Sequence, residues 1–401
     1  MASGSSNGEI KLWARDGILI STLIGHGGAV NQVSFTPDSK TLISASSDWT
    51  VRLWSMDSIP PKVFQPEYKV LGVGASFNHD GKLIATPSDN NTFRLWNPQQ
   101  GTRQLTVPGH QDQVTGISFS QDGTMMASAS LDKTVRLWQT NGKPVRILLG
   151  HLRGVNDVAF SSERSPERQL IASASLDKTV KVWQRDGKLL YTLRHDDAVT
   201  SVSFSPNGKI LASAGRDQTV RLWNSQNGTL IAKLSSNRKF SSVRFSPTDN
   251  HLIAAATDDG EIKLWRSQNG NWRDVSIVTP IGGHKKAVYQ VNFSPDGRIL
   301  ASASEDGTVK IWNQAGTLLL TLQEGSNRVE WVGFSREDRV VSIDSSNRVS
   351  VWNLNFREFF QNSDIDRLLE QACDQIGDYL KYNPKVAPED RKLCDPVVPK
   401  V

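Results

Sequence analysis

At 401 residues, 22% of them charged, the chain is long enough to bury a substantial core under a mixed-charge surface, and its net charge is +5 with a pI near 9.1. No run of roughly five like charges occurs, so the basic excess supports a nucleic-acid partner only weakly, and no stretch approaches the roughly eighteen apolar residues of a membrane span. Cys373 and Cys394 do not make a disulfide framework and Met-Ala-Ser-Gly-Ser-Ser-Asn-Gly is not a signal peptide, so the expected setting is cytoplasmic.

A repeat organises the rest. Trp13, Trp54, Trp96, Trp138, Trp183, Trp223, Trp265, Trp312 and Trp352 each close a short β-branched run, at successive gaps of 41, 42, 42, 45, 40, 42, 47 and 40. The chain opens in mid-unit: Ala2 to Trp13 aligns without a gap on Ala301 to Trp312, and Ile18 to Leu23 follows as a further strand. Eight complete units then begin near His26, Tyr68, His110, His151, His195, Ser236, His284 and Gly325. In the unit from His110, the apolar run Val114 to Phe119 meets the turn Ser-Gln-Asp-Gly. Met125 to Ser130, a tight turn at Leu131-Asp132-Lys133, and Thr134 to Trp138 come next, and Val145 to Leu149 supplies a fourth strand. One such sheet cannot cover both its faces. Sheets set around an axis cover one another and leave only short edges.

The Gly-His pairs at Gly25-His26, Gly109-His110, Gly150-His151 and Gly283-His284, with closing segments such as Ser-Leu-Asp-Lys-Thr-Val-Arg-Leu-Trp, resemble the WD40 family over residues 1 to 352. No closing Trp is followed by Asp, a position commonly variable in that family. The resemblance implies a β-propeller stiffened by buried hydrogen-bond relays running Trp to Ser to His to Asp. Matching positions are His26, Ser44, Asp48 and Trp54; His110, Ser128, Asp132 and Trp138; and His151, Ser173, Asp177 and Trp183. His195, Ser213, Asp217 and Trp223 match too, as do His284, Ser302, Asp306 and Trp312. The remaining units are degenerate: Tyr68, Thr86, Asn90 and Trp96; Ser236, Ala255, Asp259 and Trp265; Gly325, Ser342, Ser346 and Trp352.

Two closures of the ring are open. In the favoured one, Ile18 to Leu23 becomes the outer strand of the eighth unit and an eight-bladed propeller forms. In the alternative, units two to eight make seven blades and residues 1 to about 60 are a remnant of a neighbouring propeller. Burial favours eight, because seven strands the relay from His26 to Trp54. Residues 1–24 are thus expected as a partial repeat with the ring-closing strand, 25–354 as the propeller, and 355–401 as a helical tail packed on it. The tail reading rests on an N-cap at Ser363 and on Ile365, Leu368, Leu369, Ala372, Ile376, Tyr379 and Leu380 at helical spacing. Asn383-Pro384 ends that helix, and a short second one is expected at Pro388 to Leu393. The tail looks similar to the ends of bacterial WD40 proteins with signalling or NTPase domains in front, which implies an effector upstream.

Ser, His and Asp together invite a hydrolase or metal reading. Five of the seven histidines, however, fill one role repeated blade by blade, which no single active site would do; His79 and His251 stand apart. The expectation is a non-catalytic, monomeric interaction scaffold or sensor without cofactor or metal, binding proteins or peptides and no membrane. By the family's register, its binding face carries Asn31, Ser47, Leu71, Gln113, Leu131, Asn156, Leu176, Arg216, Lys239, Tyr289, Glu305, Arg328 and Glu330, with Trp49, just after Asp48, and Trp331 expected on the same rim. The alternative is nucleic-acid binding through Lys11, Arg52, Arg94, Arg136, Lys181, Arg221, Lys263 and Lys310, each two before a closing Trp. One basic residue per blade, with no stacking platform, reads better as stems covering inter-blade surface.

Overall fold

The computed structural model describes residues 2–13, 19–24, 26, 28–35, 41–47, 51–55, 62–64, 74–78, 81–88, 90–97, 102–163, 165–268, 270–323, 327–335, 339–346 and 349–353. Among them every regular element is a strand. Seven antiparallel four-stranded arrays repeat one order, with innermost strands Ser76–Phe77, Val114–Phe119, Val155–Phe160, Val199–Phe204, Phe240–Phe245, Val288–Phe293 and Val329–Ser335. These define blades one to seven. Each inner strand packs beside the next, and Val329–Ser335 returns to Ser76–Phe77, so the ring closes.

The core lies between blades rather than within them. Ala172, Val180 and Val182 of blade three meet Val202, Phe204, Leu211 and Trp223 of blade four, and each other interface repeats the pattern. Second strands such as Met125–Ser130 and Leu252–Thr257 are buried along their whole length. Their small Ala and Ser residues let neighbouring sheets approach, while each buried Val, Leu or Ile contributes about 1.5–3 kcal/mol.

The expected eight-bladed ring is corrected to seven. The outer strand of the last blade is Lys62–Phe64, not Ile18 to Leu23, with Val349 opposite Phe64 and Val351 opposite Lys62. Leu19–Ile24 pairs instead with Glu9–Trp13, and meets the ring where Ile24 pairs with Thr321 on the outer edge of blade six. The burial argument for eight blades fails for a specific reason. The N-terminal sheet Ala2–Ile24 and the three strands Val30–Phe35, Thr41–Ser46 and Val51–Ser55 cover each other. Ile10, Leu12, Leu23, Val30 and Leu42 form one buried cluster. These apolar residues are therefore covered without a place in the seven-bladed ring. No helix occurs among the described residues, and the segments expected to be helical, 363–383 and 388–393, lie outside them.

Candidate functional site

The repeated Ser, His and Asp residues form the struts of the blades. In blade two, His110 Nδ1 lies 2.8 Å from Asp132 Oδ2 and its Nε2 2.7 Å from Ser128 Oγ, which also accepts from Trp138 Nε1 at 2.8 Å. The carboxylate holds the proton on Nδ1, so Nε2 accepts from the serine hydroxyl. The same chain recurs through His151, Ser173, Asp177 and Trp183; through His195, Ser213, Asp217 and Trp223; and through His284, Ser302, Asp306 and Trp312. His26 bonds Ser44 at 2.7 Å, while Asp48 and the Trp54 side chain lie outside the described residues. In two of the three degenerate blades the Trp bond is kept, from Trp96 to Thr86 at 2.8 Å and from Trp352 to Ser342 at 3.1 Å. Gly109 precedes His110 at φ 148°, and a Cβ there would meet the Trp138 ring at 2.6 Å, which explains the Gly-His pair.

One relay member went unrecognised in the sequence. Thr134, Thr179 and Thr308, two residues after each Asp, donate to its Oδ1 at 2.5–2.6 Å, and Thr219 does so at 2.8 Å. With the backbone amides of Gln111, Leu152, Asp196 and Lys285 on the other oxygen, these carboxylates are saturated. Burial raises the Asp132 pKa, but the bonds from Thr134, the Gln111 amide and His110 outweigh it and hold the group at about 2. Desolvation dominates at His110 and His284, whose imidazoles fall below 6.5. A neutral, pinned imidazole between Ser and Asp is a strut, closed to substrate.

Around the axis the inner strands build a different surface. Each of six carries a β-bulge between its first and third residues, so the second side chain turns to the mouth of the central channel. Four of these latch onto the next blade: Thr115 donates to the Val155 carbonyl at 2.5 Å, Asn156 to Val199 at 2.7 Å, Thr200 to Phe240 at 2.9 Å and Ser241 to Val288 at 2.5 Å. The third residues, Gly116, Asp157, Ser201, Ser242, Gln290 and Trp331, form the throat below, with Gly74 in register for blade one.

The structure gathers Asn156, Arg216, Lys239, Tyr289 and Glu330, from the inner-strand side of five successive blades, around one cavity of about 460 Å³. Arg216 and Lys239 are exposed, and Glu330 is paired with Arg328 at 2.9 Å. Glu305 lies 3.7 Å from Lys286, and burial with the Glu305 charge raises the Tyr289 phenol. Leu131 and Leu176 are half-buried on the same face, and Leu131 covers Gly154 of the next blade. Gln113 is half-buried, its carbonyl bonded to the Leu131 amide, whereas Asn31 and Ser47 sit exposed outside the ring. Trp331, expected on the rim, is only 1% exposed; it fills the throat, donating to the Ala75 carbonyl at 2.8 Å. Trp49 and Leu71 lie outside the described residues.

Leu152 belongs to this face and was missed. It is 80% exposed directly after His151, where the other relays have Gln111, Asp196 and Lys285, so an apolar residue at that offset was the available signal. Five of the basic residues two before a closing Trp are buried or engaged by neighbouring side chains. Arg94 is buried, Arg136 and Arg221 approach Asp132 and Asp217 at 3.8 and 3.0 Å, and Lys181 and Lys310 each donate to a threonine hydroxyl at 3.0 Å. Among the described residues no cluster of three His, Cys, Asp or Glu could hold a metal ion.

Comparison with known proteins agrees with this architecture. The family model described as IFT122 first beta-propeller matches residues 164–366, and that described as WD domain, G-beta repeat matches 17–55, 65–97, 101–139 and 142–184. The chain belongs to the WD40-repeat β-propeller family. It is similar to WD repeat-containing protein 26 homolog of Arabidopsis thaliana, 48% identical over 61 residues, which are 15% of this chain and 10% of that protein. It is similar also to nuclear distribution protein PAC1 of Tuber melanosporum, 41% identical over 14% of this chain and 12% of the relative. DDB1- and CUL4-associated factor 13 of Dictyostelium discoideum matches at 38% over 17% of this chain and 15% of its own length. The matches thus span 10–15% of these relatives. All three organisms are eukaryotes, so the likeness of the tail to bacterial proteins stays an expectation of the sequence.

Proposed function

We propose that the chain is a non-catalytic protein-interaction module that takes its partner on the face around the channel mouth. One observation carries this reading: Asn156, Arg216, Lys239, Tyr289 and Glu330, from five blades, converge on a single cavity, with Leu131, Leu152 and Leu176 beside it. Charged and aromatic groups around an opening, with half-buried Leu131 and Leu176 and exposed Leu152 on the same face, offer the anchors and polar rim of an interface. WD40 propellers generally bind other proteins, and the name of the Dictyostelium relative describes an associated factor. Of the basic positions of the nucleic-acid reading, Arg94, Arg136, Lys181, Arg221 and Lys310 are buried or engaged by neighbouring side chains, which favours the protein-binding reading. A monomeric, cytoplasmic scaffold fits this reading.

The test is the double variant Leu131→Glu with Leu176→Glu. Partner capture should fall by at least about tenfold, while the melting temperature holds. Undiminished capture would move the interface off this face.

A further inference from the structure

Below the mouth, the throat holds polar groups in two different states. Asp157 is saturated: Oδ1 accepts from the Val158 amide at 2.9 Å, and Oδ2 accepts from the Ser201 hydroxyl at 2.9 Å and the Val202 amide at 3.1 Å. Arg244 reaches in from blade five, donating through Nη1 to Ser201 Oγ and the Val243 carbonyl, each at 2.8 Å, and through Nε to Asn292 Oδ1 at 3.2 Å, and its Nη1 forms an ion pair with Asp157 Oδ2 at 3.5 Å. Among the described residues its Nη2 makes no hydrogen bond.

Ser242 and Gln290 are the reverse of Asp157. They are 3% and 7% exposed, both line the cavity, and neither Ser242 Oγ nor Gln290 Oε1 has a partner. A buried hydroxyl and a buried amide oxygen left unpaired side by side are costly, and natural folds keep such groups when something else pairs them. We propose that the throat is a receptor for a carboxylate carried on an acidic side chain of the partner, an inference that rests on the protein-binding reading of this face.

The carboxylate accepts from Arg244 Nη2 and from the Ser242 hydroxyl. Gln290 adds a third donor once its amide is turned over, since the O and N positions of an amide exchange by simple rotation. At depth the charge of Arg244 is matched by Asp157, so its unpaired Nη2 offers a hydrogen-bond donor, and the charge that favours an anion stands at the entrance. Arg216 and Lys239 stand exposed at the entrance; Asp258 opposes them, and Glu330 is already tied to Arg328. A cation is excluded at depth, because the one carboxylate there, Asp157, is saturated and Arg244 would repel it.

The test uses the full chain and Gly/Ser peptides bearing one central Glu, Gln, Lys or phosphoserine, titrated by calorimetry. The Glu peptide should bind about tenfold tighter than the Gln and Lys peptides, and Arg244→Gln should erase that preference. Ser242→Ala should weaken Glu binding about threefold or more while leaving the melting temperature level or higher, because it removes an unpaired buried hydroxyl. No peptide binding, equal affinity for Glu and Gln, tightest binding of Lys or phosphoserine, or a Glu preference that survives both variants would each overturn the site. Capture through Leu131 and Leu176 without any Glu preference would remove the carboxylate receptor and leave the protein-binding face standing.

Discussion

Phe64 lies in register with Val349, and that pairing between a strand ahead of blade one and the last strand of blade seven closes the ring. Lys62–Phe64 therefore serves a sheet distant in sequence, while Val51–Ser55, just before it, has no fourth strand among the described residues. Deleting residues 1–58 removes only the two N-terminal sheets and should leave a soluble, cooperatively melting protein. Deleting residues 1–66 also strips Lys62–Phe64 and bares the edge Val349–Asn353, with aggregation as the visible result. Size-exclusion profiles and melting curves of the two truncations check this; aggregation of the shorter deletion would restore a role for the N-terminal sheets in closure.

The relay makes a quantitative demand on one carboxylate. Asp132 holds His110, Thr134 and the Gln111 amide, so Asp132→Ala leaves a buried imidazole nitrogen unpaired and should destabilise by about 3 kcal/mol. Ser346, exposed in degenerate blade seven, bonds only Asp344, and Ser346→Ala should cost about 0.5–1 kcal/mol. Chemical denaturation of both variants gives the comparison, and equal losses would contradict the relay as a strut.

Acid should weaken the fold in two stages. Burial keeps His110 and His284 below 6.5, so on acidification the unfolded chain takes up their protons first. Their contribution is complete above 6.5 and is lost as pH falls through the depressed values. Asp132 is held at about 2 against an ordinary 3.8, and Asp177, Asp217 and Asp306 are also lowered. Their contribution is full above 3.8 and is lost as pH falls through those lower values. Melting temperature should decline below pH 6.5 and more steeply below 3.8; a rise on mild acidification would contradict the assignment of neutral histidines.

The repeat and relays were legible because each relay residue recurs at a fixed offset from a closing Trp. The partner of Lys62–Phe64 was not, since outer strands carry little pattern: in Pro144–Leu148 only Leu148 is buried. Nothing local in such a strand names the sheet it joins. Thr134 and its counterparts stood at a constant offset too, hidden because Thr also reads as an ordinary strand former. The throat was opaque for the opposite reason. Its positions run Gly116, Asp157, Ser201, Ser242, Gln290 and Trp331, a set with no recurring residue, and only the bulged backbone shows that they share one ring. Trp331 was placed on the rim beside the register position Glu330; Gly333 opposes its ring so closely that a Cβ there would fall 2.3 Å from it, and the side chain turns inward.

The protein-binding face is tested most directly by photo-crosslinking from two exposed lysine positions on opposite sides of the ring. Lys239 lies in the loop entering the inner strand Phe240–Phe245, at the channel mouth, whereas Lys209 lies in the turn leaving Val199–Phe204 at the other end. A photoreactive residue at 239 should crosslink to the captured partner, and one at 209 should not. Crosslinking from 209 with none from 239 would place the partner on the opposite face and contradict the account.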